Sequence, residues 1–90
     1  MGDPPLITIN MFGGAKKIVG ASSLVFNRSI ASLSEILEFL QKNAMEAKIL
    51  DINNILIAVN GIESSALSGN DTIAKTGDVI SIVPVVHGGI

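Results

Sequence analysis

Apolar and polar positions alternate over residues Pro5 to Phe12, which places Ile7, Ile9 and Met11 on one face of a predicted first strand. Gly13-Gly14 break that run, Ala15 to Val19 predicts one short helical turn, and Gly20 stops it. A second strand is expected at about Ser22 to Phe26, antiparallel to the first, with Leu24 and Phe26 sharing a face. The period then changes. Leu33, Ile36, Leu37 and Leu40 stand at i, i+3, i+4 and i+7, an apolar helical stripe, while Glu38, Gln41 and Lys42 fall on the opposite side. Ser32 and Glu35 have the spacing of a capping box, in which each side chain bonds the other residue's backbone N–H, so the main helix is predicted from Leu33 to about Ala44. Met45 to Asn54 carries no assignable pattern.

Ile55-Leu56-Ile57-Ala58-Val59 is β-rich and reads as a strand, Asn60-Gly61 is the strongest short hairpin signal, and Ile62-Glu63 is a brief return strand. Ser64 to Thr72 is irregular. Thr76-Gly77-Asp78 predicts a turn into a last strand, Val79 to Val83, stopped by Pro84 because proline cannot donate to a central ladder. Ile80 and Ile82 then face the helix, and Val79, Ser81 and Val83 point outward. The string β-β-α-β-(β)-β specifies an α+β fold, a mixed four- to five-stranded sheet packed on one main helix. A right-handed crossover puts the last strand beside the first.

Ninety residues of which 48% are hydrophobic are enough for one self-sufficient core. The expected division is a folded domain over residues 1–84, its first four residues disordered, and a flexible tail over 85–90. A formal net charge of −2 and three aromatic residues, all phenylalanine, argue against direct nucleic-acid binding. Without cysteine there is no catalytic thiol or thiolate metal site, and a single histidine makes no metal cluster. No secretory start or long apolar run is present, so no membrane contact is expected and the chain is placed in the cytosol.

Candidate chemistry is confined to the last residues, Val86-His87-Gly88-Gly89-Ile90. Paired glycines usually connect two elements, but here no second element follows them; what remains is a thin tail able to enter a narrow channel in another protein. The strand string, with Phe12-Gly13-Gly14-Ala15, Leu56-Ile57-Ala58-Val59-Asn60-Gly61, Gly77-Asp78 and His87-Gly88-Gly89, resembles the β-grasp fold of ubiquitin-like proteins and, within it, the ubiquitin-related modifier (Urm) family. The frame also resembles the small subunit of molybdopterin synthase (MoaD), whose signature includes a proline shortly before the two glycines, here Pro84. The thiamine-pathway carrier ranks third, being usually shorter and without the connection Gly13 to Gly20.

The resemblance implies a sulfur carrier and protein modifier that is itself no enzyme. A ubiquitin-activating-type (E1-like) enzyme would use ATP to adenylate the Gly89 carboxylate, and a persulfide donor would displace AMP to leave a thiocarboxylate. No cofactor is bound by the carrier. The sulfur would pass to transfer RNA in the Urm-like branch or to a pterin precursor in the MoaD-like branch; the Urm-like tail would also join lysines of target proteins. Ile90 departs from the pattern by placing the needed carboxylate inside a peptide bond. It is expected to be removed first, with a zinc metalloprotease as the candidate; the alternatives are an extraneous residue or an active end that is never made, the last leaving a non-catalytic β-grasp interaction domain. Phe12, Val79, Ser81, Val83, Val85 and Val86 are expected to form a partner surface beside the tail. His87 either guides the tail or is simply solvated. Lys16, Lys17, Lys42, Lys48 and Lys75 are expected to be solvated charges, each a conceivable acceptor for another copy's tail.

Overall fold

The computed structural model describes residues 6–43 and 55–85. Met1 to Pro4, expected to be disordered, the unassigned stretch Met45 to Asn54, and Val86 to Ile90 lie outside the described residues. β1 (Ile7–Met11) buries Ile7, Ile9 and Met11, as the alternation predicts. The short helix α1 (Gly14–Val19) follows and ends at Gly20, whose N–H donates to the Lys16 carbonyl at 2.9 Å. β2 (Ser23–Phe26) returns antiparallel to β1. β3 (Ile30–Ser32) then leads into α2 (Leu33–Asn43).

The start of α2 is the capping box read from the sequence. The Glu35 N–H donates to Ser32 Oγ at 3.1 Å, and the Ser32 N–H donates to Glu35 Oε1 at 2.9 Å. Glu35 also meets Arg28 Nη1 through Oε2 at 2.6 Å. The Ser32 N–H, followed by Arg28, holds the Glu35 carboxyl below the usual carboxylate range. Both side chains of the ion pair are almost half exposed, so its own contribution is small. Beyond the cap, Leu33, Ile36, Leu37 and Leu40 are all buried against the sheet, in one cluster with Ile7, Ile9, Ile57, Ile80 and Ile82. Phe39 at the flank sets its ring 4.9 Å from that of Phe26.

After the helix, β4 (Ile55–Val59) and β5 (Ile62–Glu63) form the expected hairpin. Asn60 at φ 52° and Gly61 at φ 86° supply the two positive angles that a tight hairpin turn needs. Two 3₁₀ segments, Ser64–Ala66 and Gly69–Asp71, order part of the stretch that has no sequence pattern. β6 (Ile73–Lys75) and β7 (Val79–Pro84) complete the regular structure among the described residues. The main sheet has the order β2-β1-β7-β4-β5, with β1 and β7 parallel at its centre.

Two details differ from the sequence reading. β3 and β6 pair as a separate two-stranded sheet that the pattern concealed: Ala31 and Ala74 are buried, while the larger Ile30 and Ile73 are exposed. Apolar size there runs opposite to burial. The last strand also continues through Pro84, which stands opposite Ile55. The carbonyl of Ile82 points to β1, where it accepts the Phe12 N–H at 3.0 Å, and backbone groups two residues on point the same way. The donor that Pro84 lacks would face the Phe12 carbonyl, just beyond the end of β1, and that carbonyl already accepts the Ala15 N–H at 3.2 Å.

Among the described residues no helix is long and apolar enough to cross a membrane. Leu40→Ala, at a fully buried position, should cost roughly 2–5 kcal/mol in chemical denaturation. Because Glu35 is held below its ordinary value in the folded state, its stabilisation is complete above the usual carboxylate range and is lost as pH falls through the lowered value. Denaturation of the parent chain and Glu35→Gln across pH should show a gap at neutrality that closes on acidification.

Candidate docking surface and root of the tail

The outer face of the sheet, away from α2, is built by the residues that alternate with the core. On β7 these are Val79, Ser81 and Val83, with Val79 and Val83 exposed and Ser81 half-buried. Thr8 and Asn10 of β1 stand beside Val79 and Ser81, and Ala58 and Leu56 of β4 stand opposite Ser81 and Val83. One step past β1, the same parallel register brings Phe12 beside Val83.

The face is consequently graded along the strands. Its middle row, Ser23, Asn10, Ser81 and Ala58, is small and mostly polar. The row at the C-terminal end of β7, made by Phe12, Val83 and Leu56, is apolar, with exposures of 48%, 38% and 45%. This row is the candidate contact surface of the sheet. Val25 and Val79 form a lesser apolar pair at the other end of the face, separated by Thr8.

The structure thus brings together Phe12, Ser81 and Val83 from the sequence-derived set, and sets Val79 at the far end of the same face. Val85, half-buried, is the last residue described; Val86, His87, Gly88, Gly89 and Ile90 lie outside the described residues. Leu56 was missed. It sits inside an unbroken apolar run, Ile55 to Val59, where no alternation betrays which residues face out; only its pairing with Val83 does so.

The root of the tail is fixed on its other side by α1. Gly13 adopts φ 54°, a left-handed angle that suits glycine, and a β-carbon there would lie 3.9 Å from Pro84 Cδ. Ala15 fastens α1 to the core with no exposed surface. Phe12, Gly13 and α1 therefore flank the point where the chain leaves β7.

If Val83 faces outward, Val83→Asp should keep the chain folded and change stability by no more than about 1 kcal/mol, the span of strand preferences in a host sheet. Its neighbour Ile82 is fully buried, and Ile82→Asp should abolish cooperative unfolding. Circular dichroism melts of the two variants test the assignment of faces.

Comparison with known proteins agrees with this architecture. The model of the ThiS family matches residues 9–89. A search of curated proteins found no match. Among solved structures, the small archaeal modifier protein SAMP1 from Methanosarcina acetivorans is 23% identical, superposes with a TM-score of 0.77, and is matched over 98% of this chain and 100% of its own. Urm1 from Trypanosoma brucei is 21% identical, with a TM-score of 0.74 and coverage of 99% and 100%. Subunit 1 or 2 of the molybdopterin-converting factor, in a complex of the two from Helicobacter pylori, is 26% identical, with a TM-score of 0.62 and coverage of 93% and 99%. The matched family model spans nearly the whole chain, glycine pair included, and the chain belongs to the ThiS family of ubiquitin-like β-grasp sulfur carriers.

Proposed function

We propose that this protein is a ubiquitin-like sulfur carrier and modifier, activated at the carboxylate of Gly89. The observation that supports the reading is the end of β7: one residue before Pro84, and six in sequence before Gly89, Val83 stands between Phe12 and Leu56 in an exposed apolar row. A partner can grip the apolar row while it takes the tail into its own active site. Glycines suit that tail because they pass through a channel too narrow for side chains.

A carboxylate resists nucleophilic attack until one of its oxygens becomes part of a good leaving group. In the proposed sequence a Gly89 oxygen attacks the α-phosphorus of ATP on an activating enzyme, and pyrophosphate leaves. A persulfide sulfur of a donor protein then attacks the acyl carbon and AMP leaves. A thiol cleaves the resulting acyl disulfide, which gives the donor's thiol partner a disulfide and leaves Gly89 as a thiocarboxylate, a far better nucleophile than the carboxylate it replaces. The protein contributes position and an extended backbone; the enzymes contribute the chemistry. The active form ends at Gly89, so Ile90 is removed beforehand by a processing protease. Delivery of sulfur to transfer RNA and attachment through Gly89 to lysines of target proteins are the proposed uses, in the cytosol.

A second reading draws support from the Helicobacter pylori complex, in which two subunits of the molybdopterin-converting factor associate. In that reading the chain is the small subunit of a synthase and its tail stays with one large partner. Affinity purification separates the two: a stable equimolar complex marks the synthase, and a ladder of conjugates or thiolated transfer RNA marks the modifier.

Adenylation gives the direct test. With the activating enzyme of the source cell, labelled pyrophosphate and ATP, chain ending at Gly89 should support exchange, and chain retaining Ile90 should not, since an amide carbonyl cannot form the acyl-adenylate. Removal of Gly88 and Gly89 should abolish exchange. Inert chain ending at Gly89 with every such enzyme of that cell would overturn the proposal.

A further inference from the structure

A groove of about 640 Å³ runs along α1 and is lined by Gly13, Lys16, Lys17, Gly20, Ala21 and Ser22. No acidic residue contributes to it. Lys16 and Lys17 are exposed, and neither has an ion-pair partner among the described residues, where the ion pair is Arg28–Glu35, between the segment that follows β2 and α2. The chain as a whole carries a net charge of −2, so this end of the sheet is locally opposite in sign to the molecule. Its described carboxylates lie elsewhere: Glu35 and Glu38 on α2, Glu63 and Asp71 at the 3₁₀ segments, and Asp78 in the turn before β7.

We infer that this groove receives an acidic segment of the enzyme that activates the tail. The inference rests on the activation proposed above and names the chemistry of the contact. Gly13 lies against Pro84 and follows Phe12, so the groove is continuous with the apolar row Phe12, Val83 and Leu56. A partner lying on that row and drawing the tail inward also covers the mouth of the groove. Two unpaired ammonium groups at the edge of a desolvated contact favour carboxylates on the facing surface and repel a basic one. Helix-end compensation does not account for the pair: α1 has six residues, its dipole is short, and its Lys16 carbonyl is already bonded by Gly20. The groove has no aromatic lining on which bases could stack, which favours an acidic protein segment over single-stranded nucleic acid.

The test is calorimetric titration of chain ending at Gly89 into the purified activating enzyme of the source cell, at low salt and at about 1 M salt, where charges are screened within about 3 Å. The double variant Lys16→Glu, Lys17→Glu should bind about tenfold or more weakly at low salt, with the deficit largely gone at high salt. Lys16→Arg, Lys17→Arg should bind as the parent does, and Lys16→Ala, Lys17→Ala should show a smaller, equally salt-sensitive loss. Val83→Asp should be weak at both salt concentrations. Circular dichroism confirms that each variant is folded. Charge-reversed chain that binds like the parent, while Val83→Asp does not, overturns the acidic contact and leaves the activation reading standing. Parent chain that does not bind the enzyme at all overturns both. A single-stranded RNA oligonucleotide that displaces the enzyme from parent chain identifies the groove as a phosphate-backbone site and also overturns the inference.

Discussion

The parallel pairing of β1 with β7 is the constraint on which the rest of this molecule depends. Parallel neighbours cannot be joined by a tight turn, so everything between Met11 and Val79 acts as their connection, and α2 is the part of it that covers the sheet. The pairing places Ile7, Ile9, Ile80 and Ile82 side by side with no exposed surface, and these four meet the leucines of α2. It also fixes direction. Two parallel strands end at the same edge, so the chain leaves β7 where Phe12, Gly13 and α1 leave β1. An antiparallel arrangement of the first and last strands would send the tail out at the opposite end, away from both the apolar row and the lysines.

That opposite end is closed by polar bonds. Asn60 donates through Nδ2 to Asp78 Oδ1 at 2.9 Å and accepts the Val79 N–H through Oδ1 at 2.9 Å, while Asp78 Oδ2 accepts the Lys75 N–H at 2.8 Å. The two turns are tied to each other as well as to their own strands. An asparagine at φ 52° is among the few residues that take this angle at small cost, and here its amide also bridges to the start of the central strand. One pole of the sheet is thus saturated with hydrogen bonds, and the other presents apolar groups and unpaired cations.

How much of this was legible in the sequence follows from how local each cause is. The capping box of Ser32 and Glu35, the stripe on α2 and the Asn60-Gly61 turn are set by residues within a turn or two of one another, and each was readable from spacing alone. The pair β3–β6 was not, because three-residue strands offer too few positions for a period and because Ile30 and Ile73 face solvent while alanines face the core. Pro84 was read as a stop on a rule about ladders; the exception arises from β1 ending two residues earlier in register, a non-local fact. Leu56 shows the same limit at the site itself. Its outward direction is defined by which β7 residue it faces, and an unbroken run of five apolar residues cannot supply that.

The grading of the outer face bears directly on what a partner must look like. From Pro84 to Gly89 the chain advances five residues, which when fully extended span at most about 18 Å. Under the proposed activation, an enzyme docked on Phe12, Val83 and Leu56 would hold its reacting centre within that distance of Pro84. Were the apolar contact instead at the Val25 and Val79 end, the length of β7 would be added to the path and the same tail would fall short. The small, mostly polar middle row, Asn10, Ser81 and Ala58, separates the two apolar ends of the face, so the exposed row Phe12, Val83 and Leu56 is confined to the end at which β7 stops.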